Sequence, residues 1–147
     1  MKDVTSRPAT ALDVPFLTRV FLDSMKDVIT AARGGWDQAR ETAQFEGQLA
    51  IDSAKVIQYC GRDVGFIMTV ESAKEIQIHT LCILPAFQGR GIGSFITECV
   101  LADRAKTKRQ VVLSVLKANQ EAKRLYERLG FRVVAEIGHH YHMRHKG

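Results

Sequence analysis

Leu84-Pro85-Ala86-Phe87-Gln88-Gly89-Arg90-Gly91-Ile92-Gly93-Ser94 is the stretch of this chain best suited to hold a charged group. Alternating glycines let the backbone turn tightly and point N–H groups at an anion. Ile92, Phe95, Ile96, Cys99 and Val100 then follow helical spacing, so the loop would also meet the partial positive charge of a helix N-terminus. Arg90 sits inside the loop and can pair a phosphate. Two common phosphate loops are excluded by spacing. No Gly-Lys-Ser/Thr opens the helix, and a dinucleotide fingerprint would need glycine where Ser94 or Ile96 stands.

Other residue types with chemistry are dispersed. Cys60, Cys82 and Cys99 are an odd number, widely spaced in apolar sequence, and are read as reduced thiols of a cytoplasmic protein. His139, His140, His142 and His145 crowd the end of the chain. His140 and His142 would share a strand face, yet neighbouring histidines on one strand seldom complete a tetrahedral site, so no metal is expected. A substrate-lining or edge-strand role fits them better.

The elements that must position these groups follow from periodicity. Val4 to Ala9 reads as a strand. Asp13 caps a helix with Pro15 in its first turn, whose face is Leu17, Val20, Phe21, Met25 and Val28. After an Ala32-Arg33-Gly34-Gly35 loop, Trp36 to Leu49 forms a second helix. Lys55 to Cys60 and Val64 to Glu71 make a hairpin about a Gly61-Arg62-Asp63 turn. Glu75 to Leu84 is a strand stopped by Pro85, and Gln110 to Leu116 is a short central one. Asn119 caps a helix with buried Ala122, Leu125, Tyr126 and Leu129, and Gly130 ends it. Phe131 to Ile137 and Tyr141 to Arg144 close the chain. Three consecutive strands argue for an antiparallel block, and the strand-helix-strand unit from Glu75 to Leu116 for a parallel crossover.

The chain of 147 residues is one domain's worth, with 46% apolar and 25% charged residues, ordinary for a soluble globular protein. No apolar run reaches a membrane span, and the N-terminus has no apolar secretory segment. The formal charge of +5 admits an anionic partner without choosing one. The basic residues are scattered, which argues against a nucleic-acid-binding module.

The glycine loop followed by Asn119-Gln120-Glu121-Ala122-Lys123-Arg124-Leu125-Tyr126-Glu127-Arg128-Leu129-Gly130-Phe131 resembles the two signatures of the GNAT superfamily of N-acetyltransferases. Arg7-Pro8-Ala9-Thr10 with Asp13 is similar to that family's first strand and helix start. The likeness covers essentially the whole chain, read as one domain over residues 1–147 of an uncharacterised bacterial-type branch. It implies an α/β (α+β) fold: a mixed, mostly antiparallel sheet of about seven strands, helices on both faces, splayed between the fourth and fifth strands. It implies acetyl-CoA as co-substrate and a small-molecule or peptide amine as acceptor. No nucleic acid, membrane or metal partner is implied, and a homodimer is an open expectation. Leu81, Cys82 and Ile83 would offer strand backbone to the pantetheine arm. The N–H groups of Gln88, Gly89, Arg90, Gly91, Ile92, Gly93 and Ser94 would hold the pyrophosphate. Asn119, Ala122 and Tyr126 would complete the cofactor site, with Lys123 and Arg124 as candidates for the ribose phosphate.

The same resemblance suggests roles. Tyr126 matches the acid that protonates the leaving thiolate, and the Cys82 main-chain N–H matches the oxyanion donor. The base is less defined. The usual carboxylate position is Gln77, which cannot act as one. His79, on the same strand face, is similar to a histidine of arylalkylamine acetyltransferases and suits a base working through water. Glu75 lies further toward the strand start. The position used by ribosomal-protein acetyltransferases is Ser114 here. Arg33-Gly34-Gly35-Trp36-Asp37 falls where the family builds its acceptor pocket, with Trp36 as an aromatic wall and Asp37 attracting a cationic amine. Equally, Asp37 is a helix N-cap and Trp36 its hydrophobic staple. Glu41 and Glu46 are further pocket candidates. Protein N-terminal or lysine acetylation, and a non-catalytic coenzyme A-binding module, stand as alternatives.

Overall fold

β2 (Ala54–Tyr59) and β3 (Arg62–Glu71) meet at the two-residue turn Cys60-Gly61, where both residues have positive φ, 52° and 78°. Tight hairpins need that mirror-image geometry, which matches the twist of the strands. Arg62 pairs with Tyr59, so the turn lies earlier than the expected Gly61-Arg62-Asp63. The computed structural model describes residues 1–146.

β1 (Val4–Pro8) pairs antiparallel with β2, and β3 with β4 (Glu75–Ile83). The chain then crosses through α3 (Ile92–Thr107) to β5 (Gln110–Leu116), parallel to β4. α4 (Gln120–Arg128) leads to β6 (Phe131–Ile137) at the edge, and β7 (His140–His145) slots between β5 and β6. The order is β1-β2-β3-β4-β5-β7-β6 in one mixed, mostly antiparallel sheet of seven strands. Before it, α1 (Val14–Arg33) and α2 (Gln38–Gln48) follow β1.

Two irregularities shape the middle of the sheet. Between β3 and β4 the register slips, with Met68 opposite Thr80 but Thr69 opposite Ile78, so His79 is an extra residue. Such a bulge bends its strand. The β4–β5 pairing then stops at Ile78 opposite Leu113, and the ladder opens beyond it. The splay between the fourth and fifth strands is therefore present.

Strand alternation gives the sheet two apolar faces. Ile57, Val64, Ile67, Ile76 and Ile78 pack with Ile92 and Ile96 of α3 and Tyr126 of α4. Val56, Phe66, Met68 and Cys82 pack with Leu17 and Val20 of α1 and Phe45 of α2. Helices thus cover both faces, as expected. α1 ends at Gly34, left-handed at φ 76°, and α2 starts at Gln38, not Trp36, because the Asp37 carboxylate accepts from the Arg40 N–H at 3.1 Å. Asp13 precedes α1 without capping it by its side chain. Its carboxylate instead accepts from the Thr10 N–H at 2.8 Å and from both ends of the Arg7 guanidinium at 2.9 and 3.0 Å. Among the described residues no helix is long and apolar enough to cross a membrane.

Candidate functional site

The opening between β4 and β5 exposes main chain. In the antiparallel ladder with β3, alternate residues of β4 direct their N–H and C=O groups away from β3. The Leu84 N–H donates to the Val64 carbonyl at 2.8 Å, so Cys82, two residues back, also turns its N–H and C=O to β3, against the oxyanion role expected for it; Leu81 and Ile83 face the side without a β5 partner. Gly65 brings β3 tightly against this stretch. A Cβ there would lie 2.3 Å from the Cys82 carbonyl oxygen and 3.1 Å from Ile83 Cα. Motif and periodicity do not single out Gly65, although glycine inside an apolar strand signals close backbone approach.

The glycine loop is pinned to the end of β4. Gln88 donates its side-chain amide to the Ile83 carbonyl at 2.9 Å, and its own N–H to the Pro85 carbonyl at 3.3 Å. That N–H is thus used in the turn and is not an open anion donor. Among the described residues the N–H groups from Gly89 to Ser94 have no acceptor; the first helical bond is from Phe95 to the Gly91 carbonyl at 3.0 Å. Gly89 and Gly91 are left-handed, φ 77° and 81°. The loop is a set of outward N–H groups at a helix N-terminus, a fitting receptor for phosphate oxygens. Arg90 and Arg62 lie over the Phe87 ring, at 5.3 and 5.4 Å from its centre.

Asn119 caps α4 as expected, its Oδ1 accepting from the Ala122 N–H at 3.2 Å. This sets Tyr126 against Phe131, edge to face at 5.6 Å. Tyr126 is buried, and its hydroxyl has no hydrogen-bond partner among the described residues. Burial, and secondarily the nearby Cys82, hold the phenol well above its ordinary pKa. Cys82 comes from the opposite face of the sheet, so the two meet across the opening. Burial pushes the Cys82 thiol up to about 11, against a small opposing effect of the Ser24 hydroxyl. Lys123 is tied to Glu127 at 3.4 Å and lies over the Tyr141 ring.

On the α1 side of the opening, His79 is exposed on the bulge, its Nδ1 2.9 Å from the Thr80 hydroxyl. Ser114 Oγ lies 3.1 Å from His142 Nδ1, joining β5 to β7. Burial, then His142 and His139, and least the charge of Arg33 at the end of α1, lower the pKa of His140. Glu41 is not a pocket residue. It is 3% exposed and holds Arg40 at 3.1 Å and Arg33 at 3.6 Å. Glu46 lies 3.4 Å from the Thr18 hydroxyl. The Trp36 ring carries Lys26 at 5.9 Å, and its indole N–H is buried without an acceptor. Among the described residues no group of three or more His, Cys, Asp or Glu could hold a metal ion.

Residues 50–133 match the family model of the acetyltransferase (GNAT) domain. No curated protein matches the sequence. Among solved structures, PaiA N-acetyltransferase from Thermoplasma acidophilum in complex with coenzyme A is similar at 18% identity and TM-score 0.75, over 98% of this chain and 99% of that one. Ard1 from Thermoplasma volcanium is similar at 23% identity and TM-score 0.69, over 97% and 96%. Arabidopsis thaliana Naa50, in complex with the bisubstrate analogue CoA-Ac-MVNAL, is similar at 20% identity and TM-score 0.67, over 99% of both. At these identities the likeness is one of fold.

Proposed function

Because the chain belongs to the GNAT acetyltransferase family, we propose that it transfers an acetyl group from acetyl-CoA to a primary amine, by direct attack in a ternary complex. The observation that carries this reading is a convergence at one opening. Unpaired β4 backbone continues into a loop of free N–H groups pinned to its end, and a buried phenol lies close to Cys82 of the same strand. The residues fit the cofactor: the N–H groups of Gly89 to Ser94 would hold its pyrophosphate, and the main chain of Leu81 to Ile83 its pantetheine arm. Bound acetyl-CoA supplies the activated thioester.

The protein's own groups then have distinct tasks. A β4 main-chain N–H directed into the opening, that of Leu81 or Ile83, would donate to the developing oxyanion, where a fixed dipole in a dry site is worth most; the Cys82 N–H expected in that role faces Phe66 of β3. Tyr126 stays protonated at neutral pH, because burial disfavours the phenolate, and gives its proton to the departing sulfur. An alkylamine with pKa near 10.4 is neutral in only about one molecule in a thousand near pH 7, so its proton must be taken up. His79 takes it through water from its exposed site on the bulge. The Cys82 thiol is neutral and buried, hence a poor nucleophile, which favours direct attack over an acetyl-cysteine route. This reading takes residues 1–147 as one catalytic domain, and its unpaired thiols suit a reducing compartment.

The test is thiol release from acetyl-CoA against a panel of alkylamines, polyamines, amino acids and peptides. Turnover with one class supports the reading. Absence of turnover with all of them, in protein that binds coenzyme A, would make it a binding module.

A further inference from the structure

We propose that the open sheet face formed by β5, β7 and β6 on the α1 side is a docking track for an acidic peptide segment of the acceptor, an inference that rests on acetyl transfer at the β4–β5 opening. α1 packs on β3, β4 and α2, while this side of the outer three strands carries exposed and half-buried residues. The register fixes which ones. Val112, Arg144 and Arg132 form one row across the strands. Ser114, His142 and Ala135 form the next, and Leu116, His140 and Ile137 the last. None of these is a carboxylate. Glu136 is opposite Tyr141 on the other face, where it pairs with Lys117 at 3.1 Å. Glu75, two strands from β7 on β4, is also on this side.

Arg132 and Arg144 stand directly opposite each other, and neither has an ion pair among the described residues. Like charges in that arrangement repel. A sheet keeps such a pair at a cost that an anion relieves. At the other end of the track, Arg33 is held by buried Glu41 at 3.6 Å, and its charge reaches His140. Positive groups thus run from the sheet's far end to the opening where the amine would react.

The geometry selects a peptide. His140 to Arg144 spans about 13 Å, with alternate side chains about 6.6 Å apart. An extended peptide repeats its side chains at the same interval, so acidic residues at alternate positions meet His142 and Arg144 in turn. Exposed Ile137, 62% accessible, and Val134 add apolar contact beside the charges. The face lacks a Phe, Tyr or Trp side chain from these strands, since Phe131 and Tyr141 are on the other side, so it lacks the broad rings on which nucleic-acid bases stack best.

The test uses the full chain saturated with coenzyme A and two fluorescent peptides. One has Asp or Glu at alternate positions after a free N-terminus, and its twin has Asn or Gln there. Several weak charge pairs together predict about tenfold tighter binding of the acidic peptide by anisotropy, fading with salt. Arg132→Gln with Arg144→Gln removes that preference, and Arg144→Glu reverses it, while acetyl-CoA still raises the melting temperature of both variants. Equal binding of the twins, or a preference that survives in the double variant, overturns the proposal. So does a short single-stranded RNA that binds this face more tightly than the acidic peptide. Discrimination in binding without acetylation of either peptide overturns the track's role in delivering an acceptor, while acetyl transfer itself is judged by turnover across the whole amine panel.

Discussion

Tyr126 carries the sharpest residue-scale expectation. A phenol this buried is a weaker acid than an ordinary thiol, so its proton passes to the departing thiolate only because the same burial raises that sulfur's basicity and holds it in position. Tyr126→Phe keeps the ring against Phe131 and removes only the hydroxyl. We expect kcat to fall about 100-fold with acetyl-CoA affinity within about twofold, read by steady-state thiol release and titration calorimetry. An unchanged kcat removes the acid role. Asp13 gives a pH-dependent expectation of another kind. The Arg7 guanidinium, with the Thr10 N–H, lowers its carboxyl from 3.8 to about 2. A depressed folded value means that the stabilisation is complete above the unfolded value and is lost as pH falls toward the folded one. Asp13→Asn therefore costs about 1 kcal/mol at neutral pH, and its difference from the parent closes between pH 4 and 2 in acid denaturation. A difference that persists at pH 2 refutes that account. Sequence reaches these two residues unequally. Tyr126 and Asn119 lie in a local signature, so their places are legible. Asp13 reads as a helix cap because its true partner, Arg7, meets it only once β1 and α1 are folded together. Glu41 sits in a polar helix, and nothing local marks it as buried.

At the scale of elements, the opening depends on how β3 and β4 are joined. The glycine loop, the parallel crossover and all seven strands are readable from periodicity and turn residues, because those signals are local. The bulge is not. Ile76 and Ile78 alternate cleanly, and the phase shift appears only when Thr69 and Met68 choose their partners across the hairpin. Gly65 is the complementary device on β3. Gly65→Ala places a methyl 2.3 Å from the Cys82 carbonyl, a contact with backbone on both sides, so a strand must shift. We expect a loss of about 2–4 kcal/mol in urea unfolding. Because the displaced strand carries the outward N–H groups of Leu81 and Ile83, surviving activity should fall in kcat more than in acetyl-CoA affinity. A variant as stable and active as the parent refutes the close-approach account.

For the molecule as a whole, the question is whether loop and opening act as one receptor. The loop's free N–H groups and the unpaired β4 backbone are polar groups waiting for a partner, and one ligand satisfies both only if it is long and anionic at one end. A ligand that binds only the folded state stabilises it by about 2.7 kcal/mol at a hundred times its Kd. For a chain of 147 residues that is about 5–10 °C in melting temperature. Pantetheine alone reaches the opening but not the loop, so at equal concentration it should give a clearly smaller shift. Gly91→Ala should erase most of the difference between the two ligands, because φ 81° strains an L-residue and turns the loop's N–H groups aside. Scanning calorimetry of parent and variant with each ligand reads this directly. Equal shifts from acetyl-CoA and pantetheine in the parent would separate the loop from the site, leaving the glycines as a strand-to-helix turn and the net charge of +5 without its cofactor.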